Sequence, residues 1–290
     1  MTEASKWRYE LAERIAASYM ENPKTRVVMV AGSVGRGCAD RYSDLEIDVY
    51  YDEAPTEADR IAAVEGCGAV LEGLNEDAYE WEEQMSLDGF HAATSTFLVA
   101  TMEGYLSEVV DRCEVAPDGQ TRLYSLQHGV PLMGHDLVAQ WRDKAAQYPD
   151  GLVVTMLEAH LLFRGFWYAE EMLAARDDVL ALCDIFVRVE QQILGALLGL
   201  NRLYVPTPDY MKRMDEMIGG MQIKPVDLSR RLKQAFRMPP QDGVDELKAV
   251  ISEVIDLVEV HLPNFDTAPY RANFNARRQV WDVPPKARSG

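Results

Sequence analysis

Cysteine and histidine are scarce, with four of one and five of the other in 290 residues. Cys38, Cys67, Cys113 and Cys183 stand far apart, with no C-x-x-C pair and no histidine at ligand spacing. That distribution argues against a zinc site and against a disulfide framework. Long apolar runs are missing too: no segment offers 18 uninterrupted apolar residues, and the opening Met-Thr-Glu-Ala-Ser-Lys-Trp-Arg-Tyr-Glu lacks the apolar stretch of a leader. A cytoplasmic protein without a membrane partner is expected. Positive charge is in short supply, 29 lysines and arginines against 47 acidic residues, a net charge of −18. Nonspecific binding of nucleic acid needs basic surface to displace counterions, so a nucleic-acid partner is not expected. The acidity either raises the local concentration of a cationic small substrate or serves solubility alone. No internal repeat or low-complexity linker breaks the chain.

What is present is a soluble, globular composition, 48% hydrophobic and 26% charged, long enough for two domains with separate cores. The most informative stretch is Val28-Met-Val-Ala-Gly-Ser-Val-Gly-Arg-Gly-Cys-Ala-Asp-Arg-Tyr-Ser-Asp-Leu-Glu-Ile-Asp-Val-Tyr-Tyr51. Residues 26 to 31 form a β-branched apolar run ending at Gly32, as a buried strand does. Gly32, Gly35 and Gly37 permit positive φ and close backbone approach, and Ser33 adds a hydroxyl and an N–H at a helix start, a seat for phosphate. On the next strand Asp44, Glu46 and Asp48 alternate with Leu45, Ile47 and Val49, so the acids share one face. Like charges so placed are costly without a cation. Hard oxygen ligands at this spacing suit Mg²⁺, which completes its shell with waters and substrate phosphates. Asp48 either extends the acidic face or ends the strand in solvent.

Gly32-Ser33, ten intervening residues, then Asp44-Leu-Glu46-Ile resembles the signature of the DNA polymerase β-like nucleotidyltransferase superfamily. The wording Gly-Ser-x-x-Arg-Gly with Ser-Asp-x-Glu is most similar to its small-substrate branch of aminoglycoside and lincosamide nucleotidyltransferases and minimal antitoxins. The resemblance implies Mg²⁺-dependent transfer of a nucleoside monophosphate, AMP by expectation, from a nucleoside triphosphate such as ATP to a hydroxyl. Asp44 and Glu46 match the metal-binding positions for two ions, and Gly32 and Ser33 match the triphosphate turn. Arg36 either contacts phosphate or caps the site through an ion pair. The acceptor implied is a small, hydroxylated, cationic molecule of the aminoglycoside kind, as in antibiotic resistance. A protein-modifying, antitoxin-like transferase and a non-catalytic nucleotide sensor are the competing readings.

The implied fold is α+β: a mixed sheet with flanking helices over residues 1–145, an all-α helical bundle over 146–265, and a tail over 266–290. Residues 4 to 20 repeat apolar positions at three and four, predicting a helix before the first strand. Glu57 to Leu74 begins as a helix and weakens at Gly66 and Gly68, and the acidic, aromatic Asp77 to Gln84 follows without an assigned element. Phe90 to Ala100 is expected to be the third strand of the catalytic sheet. Many superfamily members carry a third carboxylate there, yet this segment offers His91, Thr94, Ser95 and Thr96, with Asp88 and Glu103 only nearby. Met102 to Val110 reads as a short helix and Thr121 to Pro131 as a connection with a small strand.

Val153 to Ala175 and Val179 to Leu200 read as long helices. By resemblance Glu190, in the second, is the candidate for the missing general base, reaching an interdomain cleft; the alternative is a surface glutamate. Asn201, in Asn-Arg-x-Tyr before a Pro-rich turn, is the candidate to orient substrate, and Lys212, opening the next helix, the candidate to neutralise triphosphate. Helix capping and a structural turn explain the same residues. Asp227 to Phe236 and Asp242 to Leu262 complete the bundle. The basic tail, with Arg271, Arg277, Arg278, Lys286 and Arg288, is expected to fold partly back on the acidic body and to fray at its end.

Overall fold

The structure, a computed structural model, describes residues 1–77, 80–163 and 166–277. The chain divides into two compact units, Met1–Leu152 with Tyr204–Pro208, and Val153–Leu203 with the chain from Asp209 onward. Among the described residues no helix is long and apolar enough to cross a membrane.

The first unit runs α1 (Glu3–Met20), β1 (Thr25–Val30), the single turn α2 (Gly32–Gly35), β2 (Glu46–Tyr51), α3 (Glu57–Gly66), β3 (Val70–Glu76), β4 (Trp81–Leu87), β5 (Phe90–Leu98), α4 (Val99–Leu106), α5 (Pro117–His128), β6 (Val130–Met133) and α6 (His135–Ala145). The six strands form one mixed sheet in the order β3-β4-β5-β2-β1-β6. β2 and β5 run parallel, with Glu46 opposite Ala93 and Asp48 opposite Ser95. The other neighbouring strands are antiparallel.

Local chemistry explains these elements. Thr2 caps α1 by accepting from the Ser5 N–H, and Ala12, Ile15, Ala16 and Tyr19 form its buried stripe at helical spacing. Thr56 and Asp59 close a reciprocal capping box at the start of α3. Asp88 and Gly89, both at positive φ, join Leu87 to Phe90 as a two-residue hairpin turn. Leu45, Ile47, Val49 and Tyr51 enter a core formed with α1 and with Val28, Val30, Val64 and Met85. The opposite sheet face holds Tyr50, stacked on Phe97 and edge-on to Trp141 of α6.

Three sequence expectations change here. The predicted helix over 57–74 ends at Gly66, and beyond Gly68, at φ +78°, the chain extends as β3. The end of the unassigned acidic segment, from Trp81, belongs to β4. The expected connection over 121–131 is mostly α5, whose first residue is Pro117, where a proline lacking an N–H fits.

The second unit comprises most of α7 (Asp150–His160), then α8 (Phe166–Tyr168), which continues as a π-helical turn, α9 (Val179–Leu200), α10 (Met214–Gly220), α11 (Leu228–Ala235), α12 (Pro240–His261) and α13 (Ala268–Asn275). α9 has the bounds its periodicity predicts. Helices α9, α11 and α12 approach closely at Gly243, where a Cβ would lie 2.4 Å from the Ala235 carbonyl and 3.0 Å from the Phe186 ring. In the tail, Phe274 of α13 packs near Phe163 and Phe166, and Arg271 pairs with Asp256 and Glu259 of α12. Arg278, Lys286 and Arg288 lie outside the described residues.

Candidate active site

β1 stops at Val30, and the Ala31 N–H donates to the Glu46 carbonyl at 3.0 Å, tying the following turn to the start of β2. Gly32 then takes φ +56°, and a Cβ on it would lie 1.9 Å from Glu46 Oε2. The Glu46 carboxylate therefore sits directly on the α-carbon that opens the Gly32-Ser33 turn. Gly35 packs as tightly on the other side, where a Cβ would lie 2.4 Å from the Val30 carbonyl and 3.3 Å from Gly129 Cα, just past α5. The loop leading to Asp44 is held by α1. Thr2 Oγ1 donates to the Ala39 carbonyl at 2.7 Å, and the buried Arg8 guanidinium donates to the Ser43 carbonyl at 2.7 and 3.0 Å. Arg8 thus fixes the peptide immediately before Asp44, a role invisible in a local reading because 35 residues separate it from Ser43.

Leu45 and Ile47 have no exposure, while Asp44 and Glu46 are exposed. The alternation that buries the leucine and isoleucine turns the two carboxylates from the core. Two hard oxygen donors fit an ion such as Mg²⁺, which takes one or two protein carboxylates and leaves the rest of its shell to water and phosphate. Among the described residues no group of three or more His, Cys, Asp or Glu side chains is placed to hold a metal by itself.

Asp48 is not a solvated strand end. It is 3% exposed and covered by α5, accepting from Arg122 Nη1 at 3.3 Å and Ser125 Oγ at 2.9 Å. Arg122 also reaches Glu80 Oε2 at 3.5 Å and lies 4.1 Å over the Phe97 ring. Burial pushes the Glu80 carboxyl up, against the pull of the Arg122 guanidinium. β5 puts Ala93 beside Glu46 and Ser95 beside Asp48, and one strand further β4 puts Gln84 and Glu82 in those rows. The additional carboxylates on the Glu46 face thus come from β4 and the residue before it, Glu80, rather than from β5. Asp88, considered from sequence for this role, forms an ion pair with Arg14 in the hairpin turn. Alternation of Glu80, Glu82 and Gln84 was the available signal, read together with the Asp-Gly turn that ends the strand.

Of the remaining predicted residues, Arg36 belongs to the first unit and Lys212, Asn201 and Glu190 to the second. Arg36 caps α2, with its guanidinium 5.9 Å from the Tyr124 ring, which in turn stacks on His128. Lys212 is exposed and precedes α10, its N–H held by Asp209. Asn201 is a clamp: its amide donates to the Leu197 and Ile223 carbonyls and accepts from the Gln222 and Ile223 N–H groups, all at 2.8 Å. Its hydrogen-bonding capacity is spent on backbone.

Glu190 belongs to the second unit and is buried in α9, 4% exposed, with Oε1 lacking a hydrogen-bond partner among the described residues. Burial pushes its carboxyl up to about 7. A carboxyl raised from 4.5 to about 7 on folding favours the native state below about 4.5, and that advantage is lost as pH rises through 7. Glu190→Gln is therefore expected to raise the melting temperature at pH 8 and to leave it unchanged near pH 4, as measured by calorimetry at both values. An equal shift at both would contradict the assignment.

A family model described as a domain of unknown function, DUF4037, matches residues 119–211, a span that includes Arg122, Ser125, Glu190 and Asn201. No curated protein matches the sequence. Among solved structures, the chain is similar to a nucleotidyltransferase-like protein from Exiguobacterium sibiricum, at 8% identity and a TM-score of 0.42 over 87% of this chain and 77% of that one. It is also similar to a cytoplasmic RNA terminal U-transferase, at 16% identity and a TM-score of 0.25 over 42% of this chain and 38% of that one.

Proposed function

We propose that the first unit is a Mg²⁺-dependent nucleotidyltransferase moving a nucleoside monophosphate, AMP by preference, from a nucleoside triphosphate to a hydroxyl of a small cationic acceptor of the aminoglycoside kind. The observation that carries this reading is the seating of the Glu46 carboxylate on Gly32. It joins the two halves of the Gly-Ser and Asp-x-Glu pattern at van der Waals contact. In this reading Asp44 and Glu46 hold the metal, which when bound polarises the α-phosphate and offsets charge on the leaving pyrophosphate. Ser33 and the N–H groups of its turn take the β- and γ-phosphates, and Arg36 adds a charge at the end of the same turn. The acceptor oxygen forms a bond to the α-phosphorus while the bond to the bridging oxygen of pyrophosphate breaks. The hydroxyl proton passes to a general base. Glu80 and Glu82 supply negative charge on the Glu46 face for an amine-bearing acceptor.

One observation favours a second reading. β5 presents Ala93 and Ser95 beside Glu46 and Asp48, where a third carboxylate would sit, and this suits a nucleotide sensor without turnover. The two separate in one assay, pyrophosphate release from each of the four nucleoside triphosphates with Mg²⁺ and a panel of aminoglycosides, lincosamides and other hydroxylated amines. Acceptor-dependent release is expected. Nucleotide binding without release would establish the sensor.

A further inference from the structure

In a chain with 18 more negative than positive charges, the segment Lys224–Arg237 is an exception: Lys224, Arg230, Arg231, Lys233 and Arg237 stand against Asp227 alone. Leu228, Leu232 and Ala235 form the buried side of α11. Arg230, Lys233 and Arg237, spaced by three and four, lie along one side of the helix and just past its end. Arg231 points elsewhere and is committed to Glu246 and Glu253 of α12.

The three aligned cations line a cleft of about 590 Å³, together with Lys224 and Asp227. That volume is in the range of small-molecule sites. Its cations are partly pre-positioned. Lys224 Nζ donates to the Ile218 and Met221 carbonyls, both at 2.7 Å, and Arg230 is braced by Asp227 at 3.0 Å and Gln234 at 2.7 Å. Lys233 pairs with Asp215, while Arg237 has no side-chain hydrogen bond or ion pair among the described residues. The walls carry three positive charges in excess, two once Asp215 is counted.

We propose that this cleft of the second unit binds a compact anion bearing phosphate groups. Compactness follows from charge. At physiological salt, charges beyond about 8 Å are screened, so a small anion experiences the cleft, whereas an extended polyanion runs onto the acidic remainder of the chain. Arginine forks suit phosphate oxygens in pairs, and the braced lysine supplies a point charge. The proposal is independent of the reading given for the first unit.

The test is calorimetric titration of the full chain, without divalent metal, with inorganic pyrophosphate, ATP and adenosine, repeated on Lys233→Gln/Arg237→Gln, on Arg237→Glu and on Asp44→Asn/Glu46→Gln. Pyrophosphate and ATP are expected to bind and adenosine not to bind. Affinity for pyrophosphate should fall at least tenfold in both cleft variants, and any change in the Asp44/Glu46 variant should be smaller. Arg237 is exposed, so its replacement leaves the fold intact. No pyrophosphate binding by the wild type, equal affinity in the cleft variants, or loss confined to the Asp44/Glu46 variant would each overturn the proposal. So would tighter binding of a single-stranded oligonucleotide than of pyrophosphate.

Discussion

Replacing Glu83 by alanine is expected to cost the sheet-bearing unit about 3–5 kcal/mol, the penalty for leaving a buried charge without its partner. The Glu83 side chain is fully buried and pairs with Arg60, itself 4% exposed. Its Oε2 also accepts from Thr94 at 2.6 Å, Thr96 at 3.0 Å and Tyr19 at 3.2 Å. Arg60 continues to the Asn75 and Glu82 carbonyls, both at 3.0 Å, and so ties α3 to β3 and β4. Truncation leaves the Arg60 guanidinium without its counter-charge and the Thr94 and Thr96 hydroxyls without their acceptor in a low-dielectric core, although Tyr19 and Thr94 keep the hydrogen bond between them. Glu83→Met combined with Arg60→Leu removes both charges together and is expected to recover much of the loss. Urea unfolding followed by hydrogen exchange of β4 and β5 measures this. An unchanged midpoint for Glu83→Ala would show that the pair contributes nothing.

Gly32→Ala is expected to reduce nucleotide turnover by about 10²-fold, the scale of an ångström-sized misplacement of reacting groups. Two effects combine at this position. The left-handed backbone at φ +56° penalises any side chain, and the added methyl would occupy the position of Glu46 Oε2. Gly68→Ala separates them, because its φ is +78° with nothing within 4 Å of an added Cβ. That variant is expected to lose about 1 kcal/mol of stability and no turnover. Steady-state kinetics on both variants decide the matter. Equal turnover losses would assign the effect at Gly32 to backbone strain rather than to the carboxylate.

How much of this was legible in the sequence depends on whether an element carries its own signal. α1, β1, β5 and α9 did, because each has an unbroken period of 3.6 or a short apolar run. β3 and β4 did not. Their polar residues blurred the alternation, and the Gly66 and Gly68 pair looked like a failing helix rather than the bend into a strand. Asp88-Gly89 is a recognised hairpin signal that would have repaired the reading. α5 was hidden for a different reason: its Arg122 and Ser125 look like solvent-facing residues and are directed to Asp48, more than 70 residues earlier. Asp48 was ambiguous for the same cause, since its partners are set by tertiary packing. Gly32 and Glu46 meet because the Ala31 N–H ties the turn to the first residue of β2, while Asp44 lies in the loop two residues before that strand. Asn201 shows the converse, a polar residue in a suggestive motif whose whole amide is engaged by local backbone.

The central claim is that Glu46, seated on Gly32, and Asp44, two residues before it, support metal-dependent nucleotidyl transfer. The most direct measurement is transfer of label from nucleoside triphosphates labelled at the α-phosphate to the acceptor panel, with Mg²⁺, for the wild type and for Asp44→Asn/Glu46→Gln. Loss of the metal's Lewis-acid contribution, several kcal/mol at about 1.4 kcal/mol per tenfold, predicts at least a ~10³-fold drop in the variant. Equal label transfer by both proteins, or no Mg²⁺-dependent binding of any triphosphate by the wild type, would contradict it.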